Sequence, residues 1–308
     1  MSHFFEVTVQ ERQTVETVLR VQGGFTRKQI SRAKFLESGI LKNGVRCRVS
    51  TWADPGDRVG ICLEEERSST HLKGNRLRLD ILYEDTDLLV VNKPAGVVTH
   101  PRGGHYDDTL ANGVAEYFRK KGENHQVRPV GRLDRETSGA VVFAKNQVAA
   151  ARFQKQRETG AFRKVYLAVA EGAMQKDGMW HRIEFPIGTD PKNRLKMRAD
   201  FGGKEAYTEY QVLCGGEEYS LVRLTLKTGR THQIRVHMKT LGYPLAGDSL
   251  YGGNTEKISR TALHAWQVSM IQPFTGKVLR IQAPIPKDFF DVFPEIKKMH
   301  EAEEPIIS

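Results

Sequence analysis

RPVGRLDRETSGAVVFAKN, residues 128–146, is the stretch on which the reading of this chain turns. At its centre stands Asp134, a carboxylate with Arg132 and Arg135 on either side. Thr137, Ser138 and Gly139 make a turn, and residues 140–144 are an apolar run of strand length. A strand entered through a tight turn holds one reactive side chain rigidly. The pattern has an ordinary explanation too. Asp and Thr or Ser often bond nearby amides in turns, which would make Asp134 a capping residue.

The segment as a whole points further. GRLDRETSG, residues 131–139, followed by an apolar strand, resembles the signature of the RluA-type pseudouridine synthases, in which the aspartate is the catalytic nucleophile. NKPAGVVTHP (92–101) matches the same family, although by itself it is only a Gly/Pro loop and His100 is given no chemistry. RKVYLAVAE (163–171) carries the family's K-x-Y as Lys164 and Tyr166, and GRTHQIRVHMKTLGYPLAGD (229–248) is its third motif, nearly in full. Three ordered motifs with the right residue types are a specific signal.

The resemblance implies roles. Asp134 is the nucleophile or base, Arg235 its partner, and Tyr166 the catalytic ring that stacks on the target base and helps with proton removal. Arg132 helps hold the RNA open, Ile234 closes the other side of the base, and Arg230 and His232 are further substrate-binding candidates. One departure stands out: the family usually has His-Arg-Leu-Asp, and here Gly131 replaces the histidine. The reaction so implied is an isomerisation of uridine to pseudouridine in structured RNA. It requires no redox cofactor, and the sequence shows no metal ligand set.

Composition agrees with that class. The chain has 308 residues, 47 Lys and Arg against 37 Asp and Glu, and a net charge of +10, which favours a polyanionic partner. Cys47, Cys62 and Cys214 are odd in number and scattered, which fits a reducing cytoplasm rather than a disulfide framework. The first 22 residues are interrupted throughout by polar and charged ones, unlike a leader, and no apolar run reaches the ~18 residues a membrane span needs. The expected partner is therefore RNA, with no membrane and no obligate protein partner.

Charge is concentrated near the start. Residues 20–48 hold eight basic side chains against the single acid Glu37. A solvated face would mix signs, so this cluster reads as phosphate-facing. Helices are predicted over 14–22 and from Thr26 to before Gly39, the second with Ile30, Ala33, Phe35 and Leu36 inward. Asn43-Gly44 signals a hairpin. The string 27–59 resembles the RNA-binding module of the ribosomal protein S-four type, and Arg27, Lys28, Arg32, Lys34, Lys42 and Arg46 are its candidate RNA contacts.

The expected organisation is an N-terminal module (1–70), a linker (71–78), a catalytic domain (79–290) and a C-terminal tail (291–308). The catalytic fold class is α+β, with a mixed, mostly antiparallel sheet carrying helices. The basic segment 191–208 resembles the family's mobile loop. Two other functions compete. A silent RNA-binding protein would have lost the aspartate, tyrosine or arginine. A glycosidic hydrolase would need a partner acid, for which the segment offers only Glu136. Ribosomal RNA of the large subunit is the expected substrate, and transfer RNA the alternative.

Overall fold

The computed structural model describes residues 2–64, 72–123, 125–294 and 296. The first body is built on a sheet in the order Ser2–Thr8, Arg58–Glu64, Ile40–Lys42, Val45–Arg46. Asn43 and Gly44 both take positive φ, 51° and 81°, as a tight two-residue hairpin turn requires. Thr26 caps the helix Arg27–Ala33 through a capping box with Gln29. The first predicted helix is split into Val15–Thr17 and a π-helical turn, Val18–Gln22. One expectation is corrected: Phe35 is 86% exposed. The helix stops at Ala33, so its period never carries residue 35 to the core.

The second body is one ten-stranded sheet. Its main path runs His181–Ile183, Thr208–Gly215, Tyr219–Leu226, Arg163–Glu171, Leu263–Ile271, Ser138–Ala144, Leu88–Lys93, Asp80–Glu84. All pairings on this path are antiparallel but one. Ser138–Ala144 runs parallel to Leu263–Ile271 for two residues only, Ser138 opposite His264 and Gly139 opposite Ala265. A Cβ on Gly139, whose φ is +110°, would lie 2.3 Å from the Ala265 carbonyl oxygen. Only glycine lets the two strands meet there. The expected α+β class, mixed and mostly antiparallel, is what is found.

Both faces of this sheet are covered, so Ser138–Ala144 is buried at all seven positions instead of alternating. Helices Leu110–Lys120 and Gln233–Thr240 pack Leu110, Val114, Phe118, Ile234 and Met238 against Val141, Phe143, Tyr166 and Leu224. Helix Gln147–Thr159 packs Ala149 and Phe153 on the opposite face, against Val90, Val142, Val268 and Met270. Helix Lys287–Val292 and the following Phe293 and Ile296 close over Leu167, Val169 and Leu221. Part of the predicted tail is thus core, while residues 297–308 and 65–71 lie outside the described ones.

The two bodies meet at the start of helix Gln147–Thr159. Arg152 donates to the Gly23 and Pro273 carbonyls, and its guanidinium lies 5.6 Å and 4.4 Å from the ring centres of Phe25 and Phe274. Phe5 stacks on Phe274 at 5.2 Å.

Candidate active site

Asp134 sits in the turn that delivers the strand Ser138–Ala144. Its main-chain carbonyl, not its carboxylate, closes that turn by accepting from Thr137 N–H at 3.2 Å. The side chain is left for other work, contrary to the capping explanation. Both neighbours of Asp134 are clamped by the loop at 92–101. The buried Thr99 hydroxyl accepts from Leu133 N–H at 3.1 Å and donates to the Leu133 carbonyl at 2.9 Å. The buried Lys93 ammonium donates to the carbonyls of Pro94 (2.9 Å), Val97 (2.7 Å) and Arg135 (3.0 Å). Burial pushes Lys93 down to about 7, while the charges of Asp134 and Glu136 pull it up. The sequence marks residues 92–101 as a family match and, taken alone, as a Gly/Pro loop, with no clamp foreseen. The signal passed over was a lysine preceding proline in an otherwise apolar strand.

Opposite lies helix Gln233–Thr240. Its start is fixed by the buried Gln233, whose side-chain oxygen accepts from Arg230 N–H (3.0 Å) and Thr228 O–H (2.8 Å). Its amide donates to the Tyr207 carbonyl and the Thr208 hydroxyl, each at 3.0 Å. His237 Nε2 donates to the Phe185 carbonyl at 2.9 Å, which leaves Nδ1 to accept from Thr208 at 2.9 Å. His232 precedes the helix with φ +56°, a conformation uncommon for a side-chain-bearing residue. Its Nδ1 is 2.9 Å from the Tyr251 hydroxyl, and burial, with Arg235 and Arg132, lowers its pKa.

Arg235 points from this helix toward Asp134. Its Nη1 lies 3.9 Å from the carboxylate. Its stronger partner is Asp248, bonded through Nε at 2.7 Å and Nη2 at 2.8 Å. The guanidinium also lies 4.9 Å from the centre of the Tyr251 ring. Asp248 and Tyr251 were missed as site residues, although Asp248 ends the quoted third motif.

Tyr166 is buried on the strand Arg163–Glu171, in register with Leu224 and Ala265 on the neighbouring strands. Burial and the Asp134 charge push its phenol well above the ordinary range, so the ring stays neutral. Arg132 reaches across and donates to Thr231 Oγ1 at 3.0 Å. Gly131 takes φ +83°, a conformation that a histidine would hold only with strain.

One open cleft of about 670 Å³ gathers Asp134, Tyr166, Arg235, Arg132, Ile234, Arg230 and His232. The basic residues of the first body are not among its lining. Arg27, Lys28, Arg32, Lys34 and Arg46 are exposed there, whereas Lys42 is half-buried and engaged with Asp57 at 2.8 Å and the Trp52 carbonyl at 3.0 Å. Among the described residues, no group of His, Cys, Asp or Glu could hold a metal ion, and no helix is long and apolar enough to cross a membrane.

The family described as RNA pseudouridylate synthase matches residues 87–240. The RNA pseudouridine synthase YhcT of Bacillus subtilis is 44% identical over 76% of this chain and 77% of its own length. The ribosomal large subunit pseudouridine synthase D of Neisseria meningitidis is 38% identical over 79% of this chain and 67% of its own. The solved structure of human RNA pseudouridylate synthase domain containing 1 superposes with a TM-score of 0.56 and 29% identity, over 68% of this chain and 85% of that one. The matched family region spans Asp134, Tyr166 and Arg235, and this chain belongs to the RNA pseudouridine synthase family.

Proposed function

We propose that this pseudouridine synthase acts on uridines of large-subunit ribosomal RNA, with Asp134 as the group that attacks the sugar. The observation that carries this is the convergence of Asp134, Tyr166, Arg235 and Arg132 on one cleft from three separate parts of the chain. The reaction breaks the bond from ribose C1′ to N1, turns the uracil and joins C5 to the same C1′. C5 loses a proton and N1 gains one, so no electrons change hands. An anionic oxygen at the sugar is what the protein must supply, as nucleophile at C1′ or as base at C2′.

Arg235 balances the Asp134 charge, and Asp248 sets the direction in which Arg235 points. Tyr166 and Ile234 flank the flipped uracil, whose extrusion from its stack costs a few kcal/mol. With its phenol held neutral, Tyr166 serves as a stacking surface more readily than as a proton acceptor. Arg132 and Arg230 engage RNA phosphates at the mouth, and His232 lines the floor. The N-terminal body (1–70), with Arg27, Lys28, Arg32, Lys34 and Arg46 outward, grips structured RNA at a distance from the cleft; Lys42 serves it by holding Asp57. We place the activity in the cytoplasm, in keeping with the free Cys47, Cys62 and Cys214.

The test is direct. Purified protein is incubated with unmodified ribosomal and transfer RNA, and the digested nucleosides are separated by chromatography. Pseudouridine should appear in large-subunit ribosomal RNA with the wild type and not with Asp134→Ala. Pseudouridine only in transfer RNA would move the substrate, and free uracil would mark a hydrolase.

A further inference from the structure

Arg157 lies in the last turn of helix Gln147–Thr159, on a side of the molecule that none of the family motifs supplies, yet it lines the cleft. An arginine there has an ordinary use in facing its own helix carbonyls. Its guanidinium is elsewhere. A Cβ on Gly131 would lie 3.9 Å from its Cζ and Nη1, and one on Gly229 would lie 3.8 Å from its Nη2. The group therefore rests between the Asp134 loop and the turn that precedes the Arg235 helix, against bare backbone on both sides.

Lys164 lines the same end of the cleft and donates to the Ala140 carbonyl at 3.0 Å. Among the described residues, neither Arg157 nor Lys164 has a carboxylate in ion-pair contact. Both Asp134 and Arg157 act on the Tyr166 hydroxyl, with opposite sign, so the ring stands within reach of both charges. Glu158 is the other acid of this lining besides Asp134, and it accepts from Gln154 at 2.9 Å.

We infer that Arg157 and Lys164 form a phosphate subsite that holds the RNA backbone directly beside the target uridine. The inference rests on the reading of Tyr166 as the stacking surface for that base. A planar guanidinium matches two phosphate oxygens at once, and a lysine adds a point charge. The two glycines let a sugar-phosphate chain pass close to the main chain, where a side chain at 131 would stand in its way. Gly131 and Arg157 are then one arrangement: the position given up by a side chain on the aspartate loop is served by a cation from a neighbouring helix.

The test uses short synthetic RNAs carrying the mapped uridine, with an uncharged methylphosphonate replacing its 5′ or its 3′ phosphate in turn. Wild type, Arg157→Ala and Arg157→Lys are compared by kcat/KM, with thermal unfolding as a check on folding. One of the two replacements should cost the wild type about tenfold, and Arg157→Ala should cost the same on unmodified RNA, chiefly in KM. The two losses should not multiply, because they remove one contact, and Arg157→Lys should recover part of it. Losses that multiply, or an Arg157→Ala enzyme equal to wild type, would overturn the inference. A wild type that fails on the unmodified RNA would instead strike the proposed function.

Discussion

Arg235 gives Nε and Nη2 to Asp248 and presents only Nη1 to Asp134, at 3.9 Å. A buried carboxylate with paired hydrogen bonds fixes a guanidinium in direction as well as in charge. Asp248 is thus a positioning residue for the group that faces the Asp134 carboxylate. Asp248→Asn keeps the volume but leaves Arg235 short of its charged acceptor. It should lower kcat about a hundredfold and stability by roughly 3 kcal/mol. Kinetics together with urea unfolding check both. A full kcat in Asp248→Asn would mean that Arg235 needs no such support.

Lys93 and Thr99 clamp the residues on either side of Asp134, which gives the quoted Gly/Pro loop a physical purpose. Lys93 is held at about 7, below the ordinary 10.5. Between those values the unfolded chain keeps a proton that the folded chain has released, so stability should rise with pH across that window. Lys93→Met removes the titration and should flatten the rise. Urea midpoints at about pH 7 and about pH 9 measure it. A rise unchanged in Lys93→Met would assign it to another group.

Tyr251 joins two parts of the site. Its hydroxyl accepts from Met197 N–H of the basic segment at 2.9 Å and meets His232 Nδ1 at 2.9 Å, while its ring lies against Arg235. Tyr251→Phe keeps the ring and deletes the hydroxyl. It should cost about 1 kcal/mol of stability and raise KM for RNA several-fold with kcat nearly unchanged. A collapse of kcat would place the hydroxyl in the chemistry itself.

The N-terminal body should contribute ionic grip and nothing to the chemical step. Arg27→Ala with Lys28→Ala should reduce the slope of log affinity against log salt by roughly 1.8, at ~0.9 per phosphate on a duplex. Filter binding across a salt series, with kcat at saturating RNA, reads both. An unchanged slope would leave this face without RNA contacts.

The residues that local pattern announces were the ones legible in the sequence. Asn43-Gly44 announced its hairpin, Thr26 the start of its helix, and 163–171 the K-x-Y pair Lys164 and Tyr166, which both line the cleft. Asp134, Tyr166 and Arg235, which the resemblance singles out, line one cleft. What stayed hidden depends on contacts distant in the chain. Nothing about Lys93 says that its ammonium will meet the Arg135 carbonyl, and Arg157 sits in an ordinary helix until the fold carries that helix to the cleft. Phe35 failed for a local reason, because its helix ends two residues too soon.

The most direct measurement of the central claim is a transcriptome-wide pseudouridine map of cells lacking this protein, with wild type or Asp134→Ala restored. Discrete uridines of large-subunit ribosomal RNA should lose the mark, and only the wild type should return it. Restoration by Asp134→Ala to the wild-type level would contradict that claim.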